Sequence, residues 1–263
     1  MSPIRSGARC GRFVCLRAAR CIGPRTAGGG ARFRSSKARA RSIRRTLASR
    51  RSARRARSGD SWPTSRISSR AGSGDAAGRA AEVGAELDAA GRAADRVLTA
   101  PGLAPGALPR RVVHNDCKLN NLLFDDRTGE ALCVVDLDTV MPGTVLFDFG
   151  ELARTGACPA AEDERDLDRV RVDPELFRAL ANGFTAGARG LLEQREIRAL
   201  ALAGPLMALE NGVRFLTDHL EGDRYFRIAR PGHNLDRARA QLRLAARMLE
   251  AEREMRAIFE ELV

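Results

Sequence analysis

Five polar side chains between residues 114 and 138 have the types and spacing that phosphoryl transfer requires: His114, Asp116, Asn121, Asp136 and Asp138. This reaction needs a carboxylate facing the acceptor hydroxyl and oxygen ligands that hold magnesium on the phosphates. We assign the first role to Asp116. Asn121 and Asp136 are the candidate magnesium ligands, because Mg²⁺ takes few protein oxygens and keeps water or phosphate in its other positions. Asp138 could complete this site or bind a second ion, and His114 would fix the loop through bonds to backbone groups.

Short apolar runs separate these polar residues and predict the strands that position them. Arg111–Val113 and Leu122–Phe124 are typical of short strands, and residues 125–129 (DDRTG) are typical of a turn. Ala131–Val135 (ALCVV) predicts a buried strand that ends at Asp136. Each motif alone is a common loop, cap or turn. Their combination in this order is rare, and it predicts a loop that carries out phosphoryl transfer.

The remaining apolar periodicity predicts helices around this loop. Asp173 and Pro174 are typical of a helix start, and Gly204 with Pro205 should bend or divide the helix that contains them. The predicted helices span residues 76–98, 174–188, 193–220 and 235–259. We therefore expect a mainly α architecture with a few short β-strands.

The charge is divided unevenly along the 263 residues. Residues 1–80 contain 21 of the 45 basic residues and only two of the 33 acidic ones, so the remainder of the chain is mildly acidic. The first segment has little large apolar surface and no sustained periodicity, which predicts disorder. We therefore divide the chain into a disordered Arg-rich leader, residues 1–75, and a folded domain, residues 76–263.

Three interpretations of the leader remain open. Its arginines could bind nucleic acid through phosphates, although few aromatic side chains are available to stack on bases. It could be an organelle transit peptide, for which it is long. It could also be mistranslated or mis-started sequence, because a GC-rich gene read in the wrong frame gives this composition. We favour the last interpretation over nucleic-acid binding.

Two stretches resemble the aminoglycoside/choline phosphotransferase superfamily, which has a protein-kinase-like fold. They are residues 113–124 (VHNDCKLNNLLF) and 133–142 (CVVDLDTVMP). Residues 143–150, 209–223, 225–228 and 233–240 extend the similarity to its N-acetylhexosamine kinase-like members. The resemblance covers roughly residues 110–255.

This resemblance implies ATP- and Mg²⁺-dependent phosphorylation of a small-molecule hydroxyl, in particular that of a sugar or amino sugar. It places Asp116 as the catalytic base, Asn121 and Asp136 as ligands of the nucleotide-bound magnesium, and Asp138 as an auxiliary ligand. It also gives Lys118, Asp148 and Arg214 as residues that contact the substrate or brace the site. For Asp148 the alternatives are a helix cap or a brace for the catalytic loop. For Arg214 the alternative is a helical salt bridge.

The sequence departs from this family pattern at its N-terminal end. The Gly28–Gly30 run is followed by no strand and by no lysine in a strand-like context, so the N-terminal lobe is apparently missing and the leader stands in its place. We therefore expect a kinase-like C-terminal lobe (α+β) that is truncated and impaired in activity. A non-catalytic, pseudokinase-like binding module is the alternative. The absence of a signal peptide and of a long apolar run predicts a cytoplasmic protein without a membrane anchor.

Overall fold

The computed structural model describes residues 75–104 and 106–262 of the chain. Nearly all of the leader, with the alternatives proposed for it, lies outside the described residues. Within them, helices dominate and the strands are few and short, as the sequence predicts. No helix in this part of the chain combines the length and the apolar character needed to cross a membrane.

The helices form the body of the domain. They are α1 Gly84–Leu98, α2 Val145–Gly156, α3 Pro174–Gly187, α4 Gln194–Ala199, α5 Ala203–Leu220, α6 His233–Glu250 and α7 Glu252–Glu261. Short 3₁₀ turns span Ala80–Glu82, Pro101–Leu103, Leu119–Asn121, Leu137–Thr139 and Leu200–Leu202. Helix α5 packs against α1, α2 and α6 and is the central element of the body.

Three helix boundaries correct the sequence prediction. The predicted helix 76–98 begins only at Gly84, after a 3₁₀ turn. The predicted helix 193–220 divides at Leu200–Leu202, upstream of Gly204 and Pro205. Pro205 lies in the first turn of α5, where a missing N–H costs no helical hydrogen bond. The predicted helix 235–259 is two helices that meet at Ala251.

A cluster of phenylalanines lies at the centre of the apolar core. The ring of Phe149 on α2 packs against Phe177 and Phe184 of α3 and Phe259 of α7, with centroid separations of 5.8, 5.1 and 5.3 Å. All four side chains are fully buried. Aromatic pairs in edge-on arrangements add to the stability that burial itself provides. The cluster therefore fixes α2 against the C-terminal helices.

Helix α2 also lies unusually close to α5. A Cβ on Gly150 would lie 2.4 Å from the carbonyl oxygen of Ala203, so only glycine permits this approach. Because β4 leads directly into α2, the packing of α2 fixes the end of the strand segment relative to the helical body.

The strands are β1 Arg111–Val113, β2 Leu122–Phe124, β3 Ala131–Val134 and β4 Met141–Gly143. They form two antiparallel pairs, β1 with β4 and β2 with β3, so the second pair is nested in the chain between the members of the first. Strand β4 was not predicted from the sequence. This nesting brings the loop after β1 beside the loop after β3.

The prediction of a buried strand over residues 131–135 is wrong in one respect. The strand forms, but Leu132 is 64% exposed and Cys133 is exposed as well, whereas Val134 is buried. A two-stranded pair has only one face packed on the domain, so an apolar run in it is not covered on both sides. The sequence shows the apolar run, but it cannot show that no second layer of structure covers the outer face of the described strands.

Candidate active site

The loop after β1 carries Asp116, and its carboxylate lies within a group of polar side chains. Asp116 Oδ2 accepts hydrogen bonds from Lys118 Nζ at 2.8 Å and from Asn121 Nδ2 at 2.9 Å. Asn121 Nδ2 also donates to the backbone oxygen of Asp116 at 2.8 Å. Both amide bonds use the nitrogen of Asn121, so its oxygen Oδ1 faces away from Asp116. The ammonium group of Lys118 and the amide nitrogen of Asn121 thus both bind Asp116 Oδ2. The other carboxylate oxygen, Oδ1, is left to contact a ligand.

His114 connects the Asp116 loop to the strand that precedes Asp136. The ring is buried, its Nδ1 accepts from the backbone N–H of Asp116 at 3.3 Å, and its Nε2 lies 3.1 Å from the backbone oxygen of Val135. An Nδ1 that accepts leaves the ring proton on Nε2, which donates to Val135. The ring therefore holds two loops in register and uses both of its nitrogens to do so.

Asp148 braces the same loop from α2. Its buried carboxylate accepts from the backbone N–H groups of His114 at 2.9 Å and of Asn115 at 2.9 Å. Helix α2 is capped instead by Thr144, so of the two alternatives the structure selects the brace. Burial raises the pKa of Asp148 to about 6, although the two backbone donors oppose this rise. The buried carboxylate of Asp148 therefore orients the backbone of the loop at His114 and Asn115.

The backbone of these loops is unusual at two residues. Asn115 has φ = 63° and Asp136 has φ = 65°, which places both in the left-handed region. Asn and Asp tolerate this conformation better than other non-glycine residues. Thr139 stabilises this backbone arrangement with two hydrogen bonds. Its Oγ1 donates to the backbone oxygen of His114 at 2.6 Å, and its backbone oxygen accepts from Asn115 Nδ2 at 3.0 Å.

Asp136 lies close to both Asp116 and Asp138 in the structure. The pKa of Asp136 is raised, first by its partial removal from water, then by a hydrogen bond and charge repulsion from Asp138, and also by the charge of Asp116. The charge of Lys118 opposes this rise. The nested strand pairs thus bring together the carboxylates that the sequence separates by some twenty residues.

The donor set suits magnesium by its chemistry. Within residues 75–104 and 106–262, no three acidic, His or Cys side chains form a metal-binding group by themselves. The expected set is instead one amide oxygen, that of Asn121, beside the carboxylates of Asp136 and Asp138. Mg²⁺ commonly uses one or two carboxylates and completes its shell with water and phosphate oxygens. These residues therefore fit a magnesium ion held jointly by protein and phosphate.

A cavity of about 680 Å³ extends from Asp116 into the helical body. Asp116 and Lys118 line one end, and residues of α2, α5 and α6 line its walls. Arg214 of α5 lines the cavity and lies over the Phe226 ring, with its Cζ 5.3 Å from the ring centroid. The two roles considered for Arg214, a contact with substrate and a helical salt bridge, both stay predictions.

Sequence reasoning missed a buried polar network in the wall of this cavity. Arg154 on α2 contacts Glu151, Glu162 and Gln241, and Glu151 accepts from Asn211 of α5 at 2.8 Å. Only the spacing of Glu151 and Arg154, three residues apart on one helix, is visible in the sequence. That spacing is equally typical of a solvated helix face, so it gave no signal of a site.

The chain was also compared with models of known protein families. A family model described as "Phosphotransferase enzyme family" matches residues 6–184, which is more than half of the chain. The chain therefore belongs to this family of phosphotransferases, whose members are kinase-like enzymes that generally use ATP and Mg²⁺. The matched range includes the entire loop region from His114 to Asp138.

The matched range differs from the one that the sequence motifs suggest. It begins within the basic leader, so the absence of an N-terminal lobe stays a prediction. It ends in α3, upstream of residues 209–240, on which the finer resemblance to N-acetylhexosamine kinases partly depends. The match thus shows that the chain belongs to a phosphotransferase family, but it does not identify the acceptor.

Proposed function

We propose that this protein transfers the γ-phosphate of ATP to a hydroxyl group of a neutral sugar, with an N-acetylhexosamine as the acceptor. The observation that carries this proposal is the position of Asp116. Its carboxylate lies at the end of a cavity large enough for a monosaccharide, with Lys118 and Asn121 holding Oδ2. The free oxygen Oδ1 is then the atom that accepts the proton of the acceptor hydroxyl.

Each neighbouring residue has a role that follows from its contacts. Lys118 places a positive charge beside Asp116, where it can also offset charge on a phosphate. Asn121, Asp136 and Asp138 would hold magnesium, which when bound neutralises charge on the phosphates. His114 and Asp148 contact backbone rather than substrate, and they keep Asp116 in position.

The surface of the strands supports a nucleotide beside this site. Five large apolar side chains on or next to the strands are exposed: Val112, Leu123, Leu132, Leu137 and Met141. Apolar surface beside a polar phosphate site suits a flat aromatic base such as adenine. Leu137 directly follows the magnesium-ligand candidate Asp136 in the chain, which supports a base-binding position near the metal site.

We also infer that turnover by this chain is slow. This inference rests on the prediction that the leader does not supply the strand and lysine that would cover the phosphates, because a phosphate site open to water loses much of its electrostatic stabilisation. A radiolabel assay is therefore the appropriate measurement, since it detects transfer at low rates.

The test measures transfer of labelled γ-phosphate from ATP, in the presence of Mg²⁺, to N-acetylglucosamine, N-acetylgalactosamine and glucose. The Asp116→Asn variant should lower kcat by about 10²- to 10⁴-fold, which is the usual contribution of a general base. Asp168→Asn is the matched control, because the Asp168 side chain is 94% exposed and lies outside the cavity. Transfer that is independent of Asp116 would contradict the proposal. Thermal stabilisation by sugar or ATP without any transfer would instead identify a non-catalytic binding module.

A further inference from the structure

The segment between α2 and α3, residues 157–173, forms part of the wall of the acceptor cavity. Its base is closed by a hydrogen bond from the Asp173 N–H to the Ala157 oxygen at 2.8 Å. Farther along, Asp163 contacts Arg230 at 3.2 Å and His233 at 3.0 Å. The segment is therefore anchored on both sides of Glu162, and Glu162 lines the cavity between these anchors.

The partner of Glu162 is Arg154, whose side chain is only 5% exposed. On its buried side, Arg154 Nε and Nη2 donate to Glu151 Oε2 at 3.2 and 2.7 Å. Its Nη1 donates to Gln241 Oε1 at 3.1 Å and to Glu162 Oε1 at 2.9 Å. The charge of Arg154 is thus already matched by Glu151, so the guanidinium does not need a second carboxylate.

Glu162 differs from Glu151 in its exposure. The Glu162 side chain is 44% exposed, against 5% for Glu151, and it sits on a loop rather than on a helix. Its other carboxylate oxygen, Oε2, lies 3.9 Å from Arg237 Nε. The carboxylate therefore lies between two arginines of the cavity wall, and it can leave one while it stays near the other.

We propose that Glu162 occupies the position at Arg154 that an oxygen atom of the acceptor takes on binding, and that the acceptor displaces it toward Arg237. Since Glu151 already matches the charge of Arg154, the incoming group is a neutral carbonyl or hydroxyl oxygen. This inference rests on the proposed function and specifies the acceptor at the same cavity. Arg154 is then a residue that determines specificity, and Glu162 is the group that competes with the acceptor.

The guanidinium of Arg154 disfavours a cationic acceptor. Five basic side chains line the cavity, against four acidic ones: Lys118, Arg154, Arg214, Arg227 and Arg237, and Asp116, Glu151, Glu162 and Glu210. An ammonium group placed against Arg154 would be repelled by the guanidinium and could not accept its hydrogen bond, whereas a neutral oxygen can. A cationic amino sugar is therefore disfavoured relative to its N-acetylated form, which differs from it only at this nitrogen.

Isothermal titration calorimetry with N-acetylglucosamine and glucosamine tests the inference without requiring turnover. Glu162→Ala should bind N-acetylglucosamine about threefold more tightly than the unmodified protein, because removal of a partly exposed ion pair changes affinity by about this factor. The unmodified protein should bind glucosamine at least about tenfold more weakly than N-acetylglucosamine. Asp168→Ala is the matched control, since it removes the 3.8 Å pair of Asp168 with Arg243 from the same segment but outside the cavity, and its affinity should not change.

Unchanged or weaker binding of N-acetylglucosamine by Glu162→Ala would overturn the inference. Equal affinity for the two sugars, or no binding of either sugar to any variant, would do the same. Glu162→Gln, which keeps the side-chain length, carries the test if Glu162→Ala fails to fold, and it should bind more tightly as well.

The proposed function is tested separately, by whether phosphate transfer depends on Asp116. Transfer that depends on Asp116 together with no effect of Glu162 sinks this inference alone. Tighter binding by Glu162→Ala without any transfer sinks the proposed function alone.

Discussion

The strand segment, residues 111–143, and the helical body, residues 145–262, are held together by different forces. In the strand segment the strands have three or four residues each, and the loops are fixed by polar contacts from His114, Thr139 and Asp148. In the body, four buried phenylalanines and the close contact at Gly150 fix the helices. The body thus supplies stability, and the strand segment supplies positioned polar groups on a surface that is left open.

The two regions meet at α2, and this explains how one supports the other. Phe149 faces the apolar core, while the preceding residue, Asp148, faces the loop that carries Asp116. Helical spacing puts neighbouring residues on different faces, so a single helix turn connects the packing of the body to the backbone of the loop. Substitution of Phe149 should therefore affect mainly the stability of the helical body, and substitution of Asp148 mainly the position of the loop.

The largest expected effect is that of Phe149→Ala. This change removes a fully buried ring and its contacts with three other rings, and it should lower the free energy of unfolding by about 3–5 kcal/mol. Urea denaturation followed by far-UV circular dichroism measures this loss. Phe147→Ala, one residue before Asp148, is a useful comparison because Phe147 lies outside the buried core. A loss below about 1 kcal/mol for Phe149→Ala would contradict the role given to the cluster.

A smaller effect is expected from the titration of Asp148. Its pKa is raised from 3.8 to about 6, so between these values the folded protein binds more protons than the unfolded chain. The contribution of Asp148 to stability is therefore fully present below pH 4 and is lost as the pH rises through about 6, by about 3 kcal/mol at most.

The measurement is the free energy of unfolding at several pH values between 4 and 7, compared with Asp148→Asn. Asparagine keeps an oxygen for the backbone donors of His114 and Asn115 but does not titrate, so the difference between the two proteins should change with pH in this window. A constant difference across the window would show that the pKa of Asp148 is not raised by burial.

The smallest effects are expected in the strand segment, where neighbouring residues face opposite sides. Leu122 is 7% exposed and Leu123 is 42% exposed on the same strand. Leu122→Ala should lower the free energy of unfolding by about 2 kcal/mol, and Leu123→Ala by less than about 0.5 kcal/mol. Thermal and urea unfolding of both variants give the comparison. Equal losses would mean that Leu123 is covered in the folded protein, and the open apolar face would then need another explanation.

Much of the candidate site could be predicted from local sequence. The strands β1 and β2 have the predicted bounds, and the Asp173 cap accepts from two N–H groups at the start of α3. These features depend on residues close in sequence, where turn and cap chemistry acts directly. The break before α5 was predicted at the wrong residues and the division of α6 from α7 was not predicted, because packing between helices decides where a continuous periodic pattern is interrupted.

The sequence by itself determined the order and identity of the polar groups in the loops, from His114 to Asp138, and with them the class of chemistry. Only the tertiary structure decided that Asp148 braces the loop, that Arg214 lies over Phe226, and that Arg154 holds a network in the cavity wall. The physical reason is that these contacts join residues far apart in the chain. Their geometry follows from how α2, α5 and α6 pack, and spacing along the sequence carries no record of that.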